Sequence, residues 1–355
     1  MINLDDLQMY QQLDPAGMLA QLHGLPKQCR AAWRKAKEFK LPEDYKDIDK
    51  VVILGMGGSA IGGDLVRSLA AGIAKPIIFV NREYDLPPFV DDRTLVVASS
   101  YSGNTEETLS AFGQALGTSC KKLAITTGGK LKTLAGNANA PVLTIDHKSP
   151  PRAALGYSFM PLIAILQELG FLPDQSAKVE AMIKDLETLL KKIQETVPAI
   201  SNPAKQLTQK LYGKTAVVYG AGVLSEVARR WKTQINENSK SWAFYEVLPE
   251  LNHNAVVGYQ FPAELAPNIY VVMLRCSSLH PRTRVRYQVT SELLKQNAIS
   301  HQIIDASGKD TLSQMMYLVF LGDWVSYYLA ILNHTDPTPV KVIDYLKKRL
   351  SQAKR

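Results

Sequence analysis

The sequence predicts an α/β protein with two parallel sheets, each flanked by helices. Short, almost continuous apolar runs alternate with segments of helical length, which is typical of parallel strands buried on both faces. This alternation stops in a stretch containing proline and glycine at 147–157 and then starts again. The length of 355 residues also fits two domains. We therefore predict an N-terminal domain over 1–150 and a C-terminal domain over 151–355.

In the first half, apolar runs between turn signals predict the strands. They cover 50–54, 76–81, 94–99, 122–126 and 141–145. Helices are predicted over 60–69 and 106–116, the second with Asn104 or Thr105 as its N-cap, because both residue types accept hydrogen bonds from the first helical amides.

The second half repeats this plan. Strands are predicted at 215–222, 269–274 and 300–305, and helices at 159–168, 176–195, 225–235, 284–296, 311–332 and 340–350. One difference separates the two halves. The pair Gly58-Ser59 of the first glycine turn corresponds to Val223-Leu224 in the second, so we predict that the second turn has lost ligand binding.

Composition and charge argue against several classes of protein. The 41 Lys and Arg exceed the 33 Asp and Glu by eight, yet they are dispersed, so neither nucleic acid nor a membrane surface is a predicted partner. The apolar stretches 155–172 and 315–332 contain polar breaks and are predicted to be buried core helices. Three widely spaced cysteines and an N-terminus without a signal-peptide pattern predict a cytoplasmic protein.

Two turns of the first half are predicted to bind phosphate. Loops at the carboxyl ends of neighbouring parallel strands gather on one edge of the sheet, where ligands bind. Each turn also opens a helix, whose free N–H groups attract phosphate. The predicted phosphate-binding residues are Gly57, Gly58, Ser59, Ser100, Ser102 and Thr105.

The glycine turn allows a second interpretation. The segment 55–60 satisfies the loose GxGxx(G/A) pattern of dinucleotide-binding proteins. Such a site requires an acid at the end of the next strand, to bind the ribose. That strand ends in Asn81-Arg82, although Glu83 is close. The pattern therefore favours phosphate, with a nicotinamide dinucleotide left open.

Several longer segments resemble the sugar isomerase (SIS) domain, and specifically the bifunctional phosphoglucose/phosphomannose isomerases. The resemblance covers nearly the whole chain. Its segments are GMGGSAIGGD at 55–64, SSYSGNTEET at 99–108, PRAAL at 151–155, QINENSK at 234–240, ELNHN at 250–254, DPTPV at 336–340 and LK at 346–347. It implies two SIS domains of flavodoxin-like three-layer sandwich form, a homodimer, and aldose–ketose isomerisation without metal or cofactor.

The resemblance also assigns three catalytic roles. Isomerisation through a cis-enediol needs a carboxylate that takes and returns a carbon-bound proton, and the matching residue is Glu237, in a turn-like segment after a helix. Opening the sugar ring suits a histidine, whose pKa is near neutrality, and His253 matches, lent by the neighbouring subunit. Arg152 matches the cation that stabilises the enediolate charge.

Two further positions follow from the resemblance in the C-terminal segment. Lys347 matches a substrate-contacting lysine, with Lys341 and Lys348 open as alternatives, since the register is not settled. Thr338 is a candidate for accommodating both configurations at C2 of the sugar.

The predicted function is the interconversion of glucose 6-phosphate or mannose 6-phosphate with fructose 6-phosphate. The two aldoses differ only at C2 and give the same enediol, so one site can process both. Two other classes stay open. A SIS-type sensor would bind a sugar phosphate without turnover, and a dehydrogenase would use the glycine turn for a nicotinamide cofactor.

Overall fold

The computed structural model describes residues 3–45 and 47–353. Its first half contains, in chain order, α1 (Leu7–Leu13), α2 (Met18–Glu38), β1 (Lys50–Leu54), α3 (Gly57–Ala70), β2 (Ile77–Asn81), β3 (Thr94–Ser99), α4 (Glu106–Leu116), β4 (Lys121–Thr126), α5 (Gly129–Asn137) and β5 (Val142–Thr144). The second half contains α6 (Leu155–Glu168), α7 (Ser176–Ile193), α8 (Pro203–Leu211), β6 (Thr215–Ala221), α9 (Ser225–Ser239), β7 (Ala243–Leu248), β8 (Ile269–Arg275), α10 (Pro281–Gln296), β9 (Ser300–Asp305), α11 (Thr311–Leu332) and α12 (Lys341–Gln352).

The strands form two parallel sheets, which confirms the predicted fold class. The first has the order β2-β1-β3-β4-β5 and the second β7-β6-β8-β9, with parallel pairing throughout both. The central strand β3 is buried along its whole length, because helices cover both faces of the sheet. Its continuous apolar sequence follows from that burial.

The structure differs from the predicted elements in three respects. Strand β7 was not predicted, because it is an edge strand whose residues alternate between buried and exposed positions and so form no continuous apolar run. Helices α1, α2, α5 and α8 were also not predicted. Helix α9 continues to Ser239 instead of ending near 235, so Glu237 lies in its last turn and not in a turn after it.

Helices join the two halves. Helix α6 packs against α2 and α3, while α7 packs against both α2 and α11. Helix α3 also contacts α9, and Arg67 Nη2 lies 2.7 Å from Glu226 Oε1 across that contact. Because α6 follows residue 150 yet packs on elements of the first half, and α7 contacts elements of both halves, the domain boundary after residue 150 stays a prediction.

Helix α11 is apolar on all sides because it is surrounded by protein. It is long and apolar enough to cross a membrane by composition alone, but 94% of its most apolar window is buried inside the structure. It packs against α7, α8 and α9. A helix that is hydrophobic all round is buried in the core of a protein or in a membrane, and the observed burial corresponds to a core helix.

Candidate active site

The two predicted phosphate-binding turns lie side by side. They follow β1 and β3, which are neighbours in the first sheet. The backbone N–H of Tyr101 donates to Ser59 Oγ at 3.0 Å, and the hydroxyls of Ser100 and Thr105 share a hydrogen bond of 2.9 Å. The Ser59 hydroxyl acts there as an acceptor, so its own hydrogen can still be donated to a ligand. The more exposed Ser102 accepts from the Asn104 N–H at 3.3 Å.

Both turns leave helix amides without a side-chain cap. Helix α3 starts at Gly57, which has a positive φ of 50°, and no side chain caps its first turn. Helix α4 has Thr105 at the N-cap position as predicted, but the Thr105 side chain makes no cap hydrogen bond to a helix amide. Uncapped amides at helix N-termini form an anion-binding surface.

Gly58 connects the first turn to the segment that carries Arg152. A Cβ at Gly58 would lie 2.7 Å from the Pro151 carbonyl carbon and 2.9 Å from the Arg152 N. Only glycine permits this backbone approach. The phosphate turn therefore rests directly on the short 3-10 helix Pro151–Ala153.

Arg152 is buried and held by acceptors from two other parts of the chain. Its Nε donates to Asn238 Oδ1, and its Nη2 donates to the carbonyls of Pro337 and Thr338, each at 2.7 Å. Burial lowers the pKa of the guanidinium, while Glu237 and Asp336 act in the opposite direction. The remaining nitrogen, Nη1, lies 3.5 Å from Glu237 Oε2. The carboxylate is therefore within reach of an N–H group of Nη1.

Glu237 opens into a cavity of about 900 Å³. Its side chain is 29% exposed, which leaves the carboxylate reachable by a ligand. The walls come from the end of α9, the segment before α12 and the start of α12; lining residues include Lys240, Trp242, Asp336, Pro339 and Lys341. A basic carboxylate beside a fixed guanidinium can move a proton and stabilise the negative charge that results.

Lys240 belongs to this site although it was not predicted. It has a positive φ of 54° and ends α9. Its ammonium donates to the carbonyls of Glu237 at 2.6 Å, Asn238 at 3.3 Å and Pro337 at 3.1 Å. Lys240 thus ties the helix that carries Glu237 to the segment that holds Arg152. The sequence could have indicated its place at the end of α9, because a lysine at a helix C-terminus interacts favourably with the helix dipole.

The Lys240 contacts predict a pH-dependent stability. Partial burial, followed by the positive charge of Arg152, lowers the pKa of Lys240 from 10.5 to about 8. The unfolded chain therefore binds more protons between pH 8 and 10.5, and this group's contribution to the free energy of unfolding rises with pH across that window. Urea titrations should show the wild type gaining stability relative to Lys240→Met over this range. A difference that stays constant with pH would contradict the expectation, and Lys232→Met on the same helix is the matched control.

His253 lies away from Glu237 within one chain. The end of α9 leads into the start of β7, whereas His253 follows the end of that strand, in the 3-10 helix Glu250–His253. Six strand residues span about 20 Å, and His253 is not in the wall of the Glu237 cavity. Its side chain is exposed. A single chain therefore unites Arg152 and Glu237 but not His253.

The C-terminal candidates occupy different positions. Helix α12 is exposed along its whole length, and Lys347 is not in the cavity wall, whereas Lys341 is. The hydroxyl of Thr338 is buried without a hydrogen-bond partner in the described part of the chain. The roles of Lys347 and Thr338 stay predictions.

Comparison with known proteins shows the family of this chain. Residues 200–350 match the family model described as the bacterial phospho-glucose isomerase C-terminal SIS domain. The chain is 44% identical to a bifunctional phosphoglucose/phosphomannose isomerase of Caldicellulosiruptor bescii, over 95% of this chain and all of the relative. It is 35% identical to the protein of the same name in Aquifex aeolicus, over 89% and 95% of the two chains. A D-glucosamine-6-phosphate 4-epimerase of Sulfolobus acidocaldarius is 32% identical over 64% of this chain and 70% of the relative.

Solved structures share the fold at low identity. The C-terminal domain of glucosamine-fructose-6-phosphate aminotransferase from Francisella tularensis superposes with a TM-score of 0.70 at 16% identity, covering 91% of this chain and 98% of that one. Tagatose-6-phosphate ketose/aldose isomerase from Escherichia coli gives 0.64 at 19% identity, covering 90% and 95%. Fold and site together define a two-sheet SIS-domain protein of the isomerase class. Within that class, the chain belongs to the bifunctional phosphoglucose/phosphomannose isomerase family.

Proposed function

We propose that this protein interconverts glucose 6-phosphate and mannose 6-phosphate with fructose 6-phosphate. The observation that carries the proposal is the pair formed by Arg152 and Glu237, 3.5 Å apart, with Glu237 in the wall of a cavity large enough for a hexose phosphate. The serine-rich turns support it, since Gly58 packs directly on the segment that carries Arg152. Membership of the isomerase family points to the same reaction.

In the proposed mechanism, the phosphate binds at the two turns and the sugar chain extends toward Glu237. Glu237 removes the proton from C2 of the aldose while O1 gains a proton, which gives the cis-enediol. Glu237 then returns its proton to C1 while O2 loses one, so that the O2 proton has in effect moved to O1 and no proton is gained or lost overall. Arg152 stabilises the charge that develops on the oxygen atoms, because its Nη1 hydrogens are not committed to the carbonyls that fix Nη2. The buried hydroxyl of Thr338 and the ammonium of Lys347 complete the proposed set of substrate contacts, with Lys341, which lines the cavity, as the alternative lysine.

The proposed active site also needs a second copy of the chain. Within one chain, the length of β7 separates His253 from Glu237. Exposed apolar side chains lie near both ends of this path: Trp242 is 79% exposed beside the Glu237 cavity, and Val257 and Phe261 are 77% and 79% exposed shortly after His253. Exposed apolar surface of this kind marks protein–protein contacts. In a symmetric homodimer, the partner's His253 would complete the site around each Glu237, which gives two equivalent shared sites.

Mixed dimers test this sharing of residues. Neither Glu237→Gln nor His253→Ala homodimers should turn over substrate at more than a small fraction of the wild-type rate. After unfolding and refolding together, heterodimers should contain one site with both native residues, so we expect up to about a quarter of the wild-type activity from a random equal mixture. Purified heterodimers without recovered activity would place His253 in its own subunit's site or outside catalysis.

The activity itself is tested with three substrates. Glucose 6-phosphate and mannose 6-phosphate should both yield fructose 6-phosphate in a coupled assay, and a chelator should leave the rate unchanged. Glucosamine 6-phosphate serves as the contrasting substrate because of the epimerase relative. Binding without turnover of either hexose phosphate would favour the sensor, and dependence on added nicotinamide cofactor would favour the dehydrogenase.

We further propose a cytoplasmic enzyme of glycolysis and gluconeogenesis that works without a cofactor. Its three cysteines, Cys29, Cys120 and Cys276, are all free and buried. Unpaired thiols of this kind are usual in a reducing compartment. Hexose phosphates are charged metabolites that a cell retains in the same compartment.

A further inference from the structure

The second sheet has a cavity at the edge where the first sheet carries its phosphate turns. The cavity has a volume of about 430 Å³, within the usual range for small-molecule sites. Gly222 and Val223 line it after β6, and Ser278 and His280 line it after β8. Strands β6 and β8 are neighbours whose connections lead to opposite sides of the sheet. Open parallel sheets bind ligands at such a topological switch point. The turns after β1 and β3 occupy the equivalent position in the first sheet.

The cavity offers donors suited to an anion. The one carboxylate that the described residues place in its wall, Asp310, is already engaged as the N-cap of α11, where it accepts from the Leu312 and Ser313 N–H groups and the Ser313 hydroxyl. The turn Gly222–Leu224 that opens α9 has no side-chain cap, so its amides are available. Lys178 lies at the cavity without an ion pair to any residue of the described ranges. His280 Nδ1 accepts from the Arg282 N–H at 3.1 Å, which places the hydrogen of the neutral ring on Nε2.

A buried glutamine gives an independent sign of a ligand. Gln175 lines the cavity and is only 2% exposed. Its Nε2 donates to the Pro173 carbonyl at 2.8 Å, but its Oε1 has no hydrogen bond to another described residue. This oxygen is not completely buried, so a molecule in the cavity can approach it. A hydroxyl group of a ligand in the cavity would satisfy it.

We propose that this cavity binds a small phosphate-bearing molecule, with Lys178 on the phosphate and Gln175 on a hydroxyl. The second glycine turn lacks the Gly-Ser pair of the first, and from the sequence alone we predict that this turn has lost ligand binding. The structure instead supplies polar groups from α7, outside the repeated unit. Helix α3 begins in the substrate phosphate turn and lines this cavity with Ser68 in its last turns. Its 14 residues span about 20 Å, so both sites can be occupied together.

Calorimetric titration of the full chain tests the proposal. The probe is glycerol 3-phosphate, which carries a phosphate and hydroxyls but no carbonyl to isomerise. We expect two binding sites per chain in the wild type. Lys178→Ala should weaken one of them about tenfold, as expected for a hydrogen bond to a charged group, and should leave KM for fructose 6-phosphate unchanged. Val223→Trp should fill the cavity and remove that site. Lys184→Ala, also on α7 but not in the cavity wall, is the matched control.

The outcomes separate the possible ligands and can overturn the site. Inorganic phosphate that binds as tightly as glycerol 3-phosphate would assign the cavity to the phosphate group alone, whereas weaker binding would assign a hydroxyl contact to Gln175. A single site in the wild type would overturn the proposal. So would a second site that Lys178→Ala leaves intact, or one that Lys184→Ala weakens equally. Lys178 is exposed, so this variant decides the matter even if Val223→Trp fails to fold.

Discussion

Glu237→Gln should lower kcat by about 10³-fold with little change in KM, since a positioned general base contributes roughly 10²–10⁴-fold. The amide keeps the size and hydrogen-bonding capacity of the side chain but cannot take a proton from carbon. Steady-state kinetics with fructose 6-phosphate and with mannose 6-phosphate should show the same loss, because both reactions pass through one enediol.

The control for this experiment is a glutamate outside the site. Glu292→Gln removes an exposed carboxylate from α10 and should leave both kinetic parameters unchanged. Far-UV circular dichroism and urea unfolding verify that Glu237→Gln is folded, which we expect because this carboxylate is partly exposed and its closest cation, Arg152, is held by three other acceptors. Normal turnover by folded Glu237→Gln would rule out the proposed base.

The sequence predicts the buried parts of this fold well. The strand at 94–99 and the helices at 106–116 and 311–332 coincide with β3, α4 and α11. Parallel strands buried on both faces must be apolar throughout, so a local pattern is enough to locate them. The edge strand β7 has one partly solvated face, and only its pairing with β6 makes it a strand.

The sequence predicts which residues form the site better than it predicts where they lie relative to one another. Motifs located the two proposed phosphate-binding turns, and parallel topology brought them together. The spatial role of Lys240 depends on a contact with Pro337, nearly a hundred positions away, which no local pattern contains. The separation of His253 from Glu237 likewise follows from the direction of β7, which the sequence analysis did not identify as a strand. Long-range placement, rather than residue type, was the part that sequence reasoning lacked.

Arg152→Met should impair both stability and catalysis, because this side chain has two tasks. Three of its hydrogen bonds join the 3-10 helix at 151–153 to Asn238 and to the Pro337–Thr338 segment. Their loss leaves buried acceptors unpaired, which we expect to cost about 3–5 kcal/mol in the free energy of unfolding. Loss of the preplaced charge beside Glu237 should lower kcat by about 10²–10³-fold. Urea unfolding at fixed protein concentration and kinetics on the folded fraction measure the two effects.

Arg152→Lys separates the structural task from the catalytic one. Lysine retains the positive charge but has a single ammonium group. The guanidinium uses separate nitrogens, held in a fixed planar fork, to reach Asn238 and the two carbonyls, and one ammonium cannot reproduce all three hydrogen bonds. If Arg152 stabilises the enediolate, the lysine variant should recover part of kcat while remaining less stable than the wild type. If Arg152 only holds the fold together, kcat per folded molecule should be normal in both variants, and that result would remove it from the mechanism. Arg34→Met, at an exposed position on α2, controls for the loss of a positive charge, because the electrostatic field of one distant surface arginine is largely screened at physiological ionic strength.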